Sequence, residues 1–505
     1  MKKLTIIASL FLMGMAQLSM AADAYQIHLK MPDTNDTMIF LLHYYGKNRP
    51  TLFKVDSARI DKRGNAEFKG KDPDFVGGIY VMLLSNRTCD FEFLLNKGDN
   101  ISMNVKTSKI TVDDAEKKTK IEALKVDKIT FSNSPENERF EEYVDFLKEY
   151  AETEKKFENQ LKQAKTADDT AAVRKEAIAY SKKLTNYRRT YEKAHPGTLL
   201  ANIFNAMEIP EVPEGPHYLE DGKTKDSTFA YHYYKSHYWD GFNFQDDRLI
   251  YTPIYDSRLE EYMEKLVVSW PDSVEHESDI LLAKAKGTKD VFHYTLWWLT
   301  RYVENSKVMG MDEAFVYLVE NYYMKGDAFW LTNDELKKYA ERAQAIAPNV
   351  IGNIAPEIVL PNVITKKQED MLAEKAKYTL LVFYSPTCGH CQKELPELDS
   401  LYRAVLKAKG VKVYTVATEG EEKTITDFLN KDKLTDWTNT WNPDHTSDYH
   451  NKYDVYSTPT IYLLDEKKII RGKRLDHSNL SGLIDMLEKR EKEKAKEKNS
   501  GKTNQ

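Results

Sequence analysis

Cysteine is scarce, at three residues in 505. That excludes a small disulfide-stapled secreted fold, which packs cysteine densely into a short chain. After the first twenty residues, long apolar runs are lacking too. No later stretch approaches the ~20 apolar residues that a membrane-spanning helix needs. Basic charge is not in excess: 73 Lys+Arg stand against 79 Asp+Glu, a net charge of −6. That balance argues against a dedicated nucleic-acid binder, which usually carries a basic domain. No repeat with a period of about 20–50 residues is visible, which argues against a solenoid. Hydrophobic residues make up 41% and charged residues 30% of the chain. That is material for several cores, roughly three domains at about 100–200 residues each.

The first 21 residues read as an address. Lys2 and Lys3 form a positive start, Leu4 to Leu18 an apolar core, and Ser19-Met20-Ala21 a small-residue cleavage site. This is the layout of a secretory signal peptide. No Cys follows the core, so lipid attachment there is not expected. Cleavage after Ala21 removes two lysines and no acid, taking the net charge from −6 to −8. The mature chain is expected in a periplasm or cell envelope, soluble and not membrane-spanning. Disulfide chemistry is possible there.

Three regions follow. Residues 24–132 read as a β-rich domain. Tyr25–Met31 alternates with period 2. Met38–Tyr45, Gly78–Leu84 and Asp90–Leu95 are further β-type runs, separated by turn signals such as Lys62-Arg63-Gly64-Asn65. Short strands at this spacing predict an antiparallel sandwich or barrel. At Ser134-Pro135-Glu136 a helix begins, with Pro at its first position and an acid in the first turn. Thr166-Ala167-Asp168-Asp169 caps a second helix running to His195, which together predict a long helical hairpin. Helical spacing recurs around 199–208, 256–269, 274–286, 289–304, 311–325 and 333–346, so 133–347 is read as an all-helical middle domain. From 350 to 490 strands and helices alternate, which predicts an α/β domain with a central sheet. Residues 491–505 form a charged flexible tail.

One motif carries chemistry. Ser385-Pro386-Thr387-Cys388-Gly389-His390-Cys391-Gln392 follows the apolar strand Tyr378–Tyr384 directly. Residues i and i+3 at a helix start lie on one face, within disulfide reach. Cys388 would meet the unpaired N–H groups of the helix start, which stabilise a thiolate, the nucleophile of disulfide exchange. Cys388 is therefore read as the attacking thiol and Cys391 as the resolving one. His390 adds positive charge beside the thiolate, and with Gly389 tunes its pKa. A zinc site needs four ligands, and no second Cys-x-x-Cys or nearby His pair is present. Haem attachment needs His directly after the second Cys, where Gln392 stands. A purely structural bridge over so short a loop would be a poor staple. No metal and no cofactor are expected beyond the redox-active Cys388–Cys391 disulfide itself.

Residues 350–490 resemble thioredoxin-like domains of the TlpA/ResA type, within the AhpC/TSA and thioredoxin group. The Cys388-Gly389-His390-Cys391 centre matches the redox pair, and its Gly-His dipeptide is like that of protein disulfide isomerases. Glu394 falls where ResA-like proteins carry an acidic residue, and Pro396 where the family kinks its first helix. Val455-Tyr456-Ser457-Thr458-Pro459-Thr460 resembles the loop of the family's cis-proline, which faces the cysteines and lines the substrate groove. Leu360-Pro361 resembles the hairpin that leads into the sheet. The resemblance implies a catalytic role for Cys388, Cys391 and Glu394, and substrate binding at Thr458 and Pro459. Thr387 stands where many thioredoxins have Trp, so neither the aromatic rim nor a thioredoxin potential is carried over. The peroxiredoxin spacing of Pro, Thr and Cys is absent, and peroxidase activity is not expected. The Gly77–Tyr80 and Phe91–Asp99 runs, and His237-Tyr238-Trp239-Asp240 with Phe242, resemble strand-rich and helical modules of unknown function that precede such domains in envelope proteins.

Other residues read blandly. The aromatic run from Tyr231 to Phe244 could form a sugar or peptide platform, but reads as core packing with amphipathic rims. Cys89 is a buried small hydrophobe. Glu394 has two readings: a solvated helix carboxylate, or a buried proton acceptor for the resolving thiol. The expected activity is that of a periplasmic thiol–disulfide oxidoreductase acting on protein disulfides, as a reductase or isomerase, served by a membrane electron donor. The alternative is an envelope partner-binding protein in which the thioredoxin-like domain is secondary.

Overall fold

The computed structural model describes residues 23–47, 49, 51–114, 119–445 and 447–500. The signal peptide expected over 1–21 lies outside them. The chain divides into two compact units. One holds residues up to Tyr262 with Gly287–Val291, and the other holds Met263–Lys286 with the chain from Phe292 onward.

The first unit opens with eight strands: β1 (Tyr25–Lys30), β2 (Met38–His43), β3 (Phe53–Arg59), β4 (Asn65–Gly70), β5 (Gly78–Leu84), β6 (Asp90–Leu95), β7 (Asp99–Asp114) and β8 (Thr119–Ser132). They form two four-stranded sheets, ordered β4-β1-β7-β8 and β3-β2-β5-β6. Neither order returns to its first strand, so the described strands form no closed barrel. The expectation of a purely antiparallel arrangement is corrected at one pair, because β1 runs parallel to β7, Ile27 facing Ile101. Parallel neighbours need a long crossover, and here residues 31–98, the whole second sheet included, supply it. Both sheets feed one core through alternate residues. Ile27 and Leu29 of β1 and Ile101, Met103 and Val105 of β7 meet Ile39 and Leu41 of β2 and Phe91, Phe93 and Leu95 of β6. Cys89 lies in that core, and burial pushes its thiol up to about 11.

The helices are α1 (Pro135–Gln163), α2 (Ala167–Ala194), α3 (Leu199–Ala206), α4 (Phe229–His237), α5 (Tyr255–Glu261), α6 (Pro271–Ala285), α7 (Asp290–Glu304), α8 (Asp312–Leu318) and α9 (Asn333–Ile346). Thr166 caps α2 as its sequence suggests: its hydroxyl accepts from the Asp169 N–H, and the Asp169 carboxylate accepts from the Thr166 N–H. The aromatic run is core only in its second half, with Trp239, Phe242 and Phe244 buried against Tyr255; the expectation is corrected for Tyr231 to His237, none of which is buried. The helix α4 inside that run has no apolar period to announce it. None of its residues is buried.

In the second unit the chain after α9 makes β9 (Val359–Pro361), β10 (Gln368–Asp370), β11 (Tyr378–Tyr384), α10 (Cys391–Leu401), β12 (Val411–Ala417), α11 (Glu422–Lys431), β13 (Thr438–Trp441), α12 (Tyr449–Lys452), β14 (Thr460–Asp465), β15 (Ile470–Lys473) and α13 (His477–Ser500). β9 and β10 pair as an antiparallel hairpin. The main sheet is ordered β13-β12-β11-β14-β15. β11 runs parallel to β12 and antiparallel to β14. All seven residues of β11 are buried, as a central strand covered on both faces requires. Leu380, Val382 and Tyr384 point into the core shared with α10, and Leu381 and Phe383 into the core shared with Tyr449 and Tyr453. The polar strand β13 has no apolar pattern that would announce it in the sequence. α13 continues helical through the Lys/Glu-rich run to Ser500. Among the described residues no helix is long and apolar enough to cross a membrane.

Candidate active site

The site begins where β11 ends. The Cys388 N–H donates to the Ser385 carbonyl at 3.2 Å, and the Cys388 carbonyl accepts from the Gln392 N–H at 3.1 Å. The turn thus runs straight into α10, whose first helical residue is Cys391. Both cysteines are free thiols. Their surroundings differ sharply. Cys388 is half-exposed, whereas Cys391 is fully buried in the α10 core. The backbone N–H of Cys391 stabilises the Cys388 thiolate and holds its pKa below the usual range for cysteine. Burial pushes the Cys391 thiol up to about 11. The Cys388 thiol also donates to the Thr458 carbonyl at 3.3 Å. The peptide bond that follows, Thr458–Pro459, is cis. The turn after β11 and the loop before β14 are therefore brought together from sites 70 residues apart.

The remaining expected residues fall as follows. Gly389 and His390 form the exposed tip, and a Cβ at Gly389 would meet open space. Pro396 lies inside α10. The carboxylate of Glu394 is turned toward α13. It accepts from the His477 backbone N–H at 2.6 Å, and its second oxygen is 2.9 Å from His477 Nδ1. The Glu394 side chain is 17% exposed and partnered on both oxygens by His477. It ties the start of α13 to α10 and, by hydrogen bonding, raises the pKa of His477. Thr387 is exposed, its hydroxyl 3.0 Å from that of Ser385, which donates to Glu419 at 3.2 Å. Glu419 lies 34 residues from Ser385, so no local spacing marks it in the sequence. Among the described residues no group of three or more His, Cys, Asp or Glu is placed to hold a metal ion.

This asymmetry has a direct readout. Iodoacetamide should label Cys388 at pH values below those usual for cysteine. Cys391, buried and with its thiol pushed up to about 11, should stay unlabelled over the same range, as read by peptide mass after timed quenching. Equal labelling of both thiols at neutral pH would contradict the geometry.

A central five-stranded sheet, a Cys-x-x-Cys turn at the end of its middle strand and a facing cis-proline loop define a thioredoxin-fold thiol–disulfide oxidoreductase. The AhpC/TSA family model matches residues 351–473, and the chain belongs to that family. Two families named as domains of unknown function match upstream, DUF4369 over 25–140 and DUF5106 over 185–349. The chain is similar to "Sporulation thiol-disulfide oxidoreductase A" of Bacillus subtilis, 32% identical over 117 residues, covering 22% of this chain and 67% of that protein. Among solved structures it is similar to a domain of a possible thiol-disulfide isomerase from Cytophaga hutchinsonii. The identity is 33%, the cover 29% of this chain and 98% of that one, and the TM-score 0.28. It is also similar to a thioredoxin-like protein from Bacteroides caccae, at 21% identity, 55% and 97% cover and a TM-score of 0.43.

Proposed function

We propose that the chain is a periplasmic oxidoreductase that reduces or isomerises protein disulfides through Cys388-Gly389-His390-Cys391. The observation that carries this reading is the pairing of an accessible, acidified Cys388 with a buried Cys391 whose thiol is pushed up to about 11. In this reading the Cys388 thiolate attacks one sulfur of a substrate disulfide. The substrate S–S bond breaks, and the other sulfur leaves as a thiolate that takes a proton from water. The mixed disulfide lies against the loop of Thr458 and Pro459. Cys391 then loses its proton and attacks the Cys388 sulfur. The enzyme disulfide forms and the second substrate thiolate departs, so the substrate gains two electrons and the enzyme loses two. The high pKa and burial of Cys391 leave Cys388 as the thiol that attacks the substrate first. Glu394, engaged by His477, acts as a positioning residue that fixes α10 against α13. A dithiol donor at the membrane would restore the reduced pair.

The test is the reduction potential of the Cys388/Cys391 pair in the mature chain, by equilibration in glutathione buffers with mass readout. A value near or below about −250 mV supports a reductase, and one near −180 mV an isomerase. A value near −120 mV, that of a strong oxidant, overturns both directions. A pair that does not cycle overturns the redox reading altogether.

A further inference from the structure

The following rests on the reading that Cys388 attacks polypeptide disulfides. Because the Cys388 thiol lies against the Thr458 carbonyl, a substrate chain bound at sulfur must pass along the loop that holds Thr458. Two residues earlier in that loop stands Tyr456, 73% exposed. An aromatic side chain so exposed buries little area of its own and is free to cover a partner's. Its ring is steadied from one side by Arg342 of α9, whose guanidinium carbon lies 5.1 Å from the ring centre. Arg342 also pairs with the buried carboxylate of Asp454 at the start of the same loop. Arg474 holds the other Asp454 oxygen at 2.8 Å.

Behind Arg342 lies a cavity of about 270 Å³. Val308, Met309, Phe315 and Ile346 supply its apolar lining. Its basic wall is offset only in part: Arg342 and Arg474 share the one carboxylate of Asp454, Lys473 pairs with Asp312 at 2.6 Å, and Lys307 and Glu304 also line the cavity. The occupant its apolar lining suits is an apolar side chain of the substrate. The cavity is smaller than the ~300–1,000 Å³ of a typical small-molecule site, a size for one or two side chains. The path along the loop from Thr458 to Arg342 is within a peptide's reach. Two loop residues span at most about 7 Å, and the Tyr456–Arg342 contact adds 5.1 Å. Four extended residues of a bound peptide reach about 13 Å.

We propose that the helical segment before the thioredoxin-like domain completes the substrate surface. A polypeptide whose disulfide sits on Cys388 lays an apolar or aromatic side chain, about four residues from its cysteine, on Tyr456 and into the cavity behind Arg342. The enzyme thereby selects disulfides in exposed, apolar stretches of polypeptide. Arg342 is a positioning residue in this arrangement, and Tyr456 sets specificity.

The test uses the reduced mature chain and two disulfide-linked peptide dimers. Both are made of ten-residue chains, one with Phe four residues to either side of its cysteine and the other with Ser there. Each reaction converts one peptide disulfide to two thiols and the enzyme dithiol to its disulfide, so the electrons balance. The readout is the ratio of kcat/KM for the two dimers. The wild-type ratio should favour the Phe dimer by about tenfold. Tyr456→Ala should bring it to about one, Tyr456→Phe should keep it, and Met309→Asp should lower it. A wild-type ratio near one, or a ratio unchanged in Tyr456→Ala, overturns the inference while leaving the oxidoreductase reading intact. Failure of both dimers to react overturns that reading, and the inference with it.

Discussion

The Cys391→Ser protein, mixed with a disulfide-bonded protein substrate, should accumulate a covalent complex on Cys388 and lose turnover by at least about a thousandfold. The size follows from how the mixed disulfide is normally resolved. Cys391 sits one helical turn from Cys388, and a thiol held in that geometry acts at an effective concentration of about 10⁵ M or more. An external thiol at millimolar concentration cannot compete. Serine keeps the shape of the site but cannot form a disulfide, so the first step proceeds and the second does not. Cys388→Ser should give no complex and no turnover, because the buried Cys391 is inaccessible and its thiol is pushed up to about 11. Non-reducing gels and intact mass decide the matter. A complex formed equally by both variants, or by neither, would contradict the assigned order of the two thiols.

The second large effect is on stability. Lys473 ends β15 with only 2% of its side chain exposed. Its ammonium is paired with Asp312 of α8 at 2.6 Å and donates to the Asn349 side-chain carbonyl at 2.5 Å. Asp312→Ala should cost about 3–5 kcal/mol, because one partner of a buried pair is removed and the other is left uncompensated. For a unit of this size that corresponds to a fall of roughly 6–12 °C or more in the midpoint of its transition. The pH dependence has a definite sign. Burial lowers the folded-state pKa of Lys473 below its ordinary value. Removing Asp312, which raises that pKa, lowers it further. The unfolded chain then binds more protons than the folded one up to the ordinary lysine pKa of about 10.4. The variant's deficit should therefore be largest at low pH and shrink as pH rises toward that value. Thermal unfolding at pH 6 and pH 9 checks both size and sign. A midpoint within a degree or two of wild type at pH 6 would show that the pair contributes nothing.

Much of the site was legible in the sequence because its chemistry is local. Cys388 and Cys391 need only a strand end and a helix start, and both were written in the apolar run Tyr378–Tyr384 and the residues that follow it. The strands Gly78–Leu84 and Asp90–Leu95 were likewise legible, since alternation along one strand reports which face is buried. Thr166 and Asp169 cap α2 through contacts three residues apart, within reach of any local reading. Pairings between distant segments were not legible. Nothing in the strand Tyr25–Lys30 says that β7 lies parallel beside it, because register and neighbour depend on the path of residues between. β13 is polar and short, and takes its place only because β12 offers it an edge.

The amino-acid sequence by itself determined the reactive pair, the strand that presents it, the proline loop and the order of β-rich, helical and α/β segments. The proline loop was legible through its resemblance to a known family; the others rest on contacts within a few residues, or on periodicities that a single strand or helix expresses alone. The tertiary structure alone decided that the Thr458 carbonyl meets the Cys388 thiol and that Glu394 turns to His477. It also decided that Arg342 reaches across 112 residues to Asp454. Burial and distance set these contacts and the thiol pKa values that depend on them. Both arise only when segments far apart in the chain pack together and water is excluded between them.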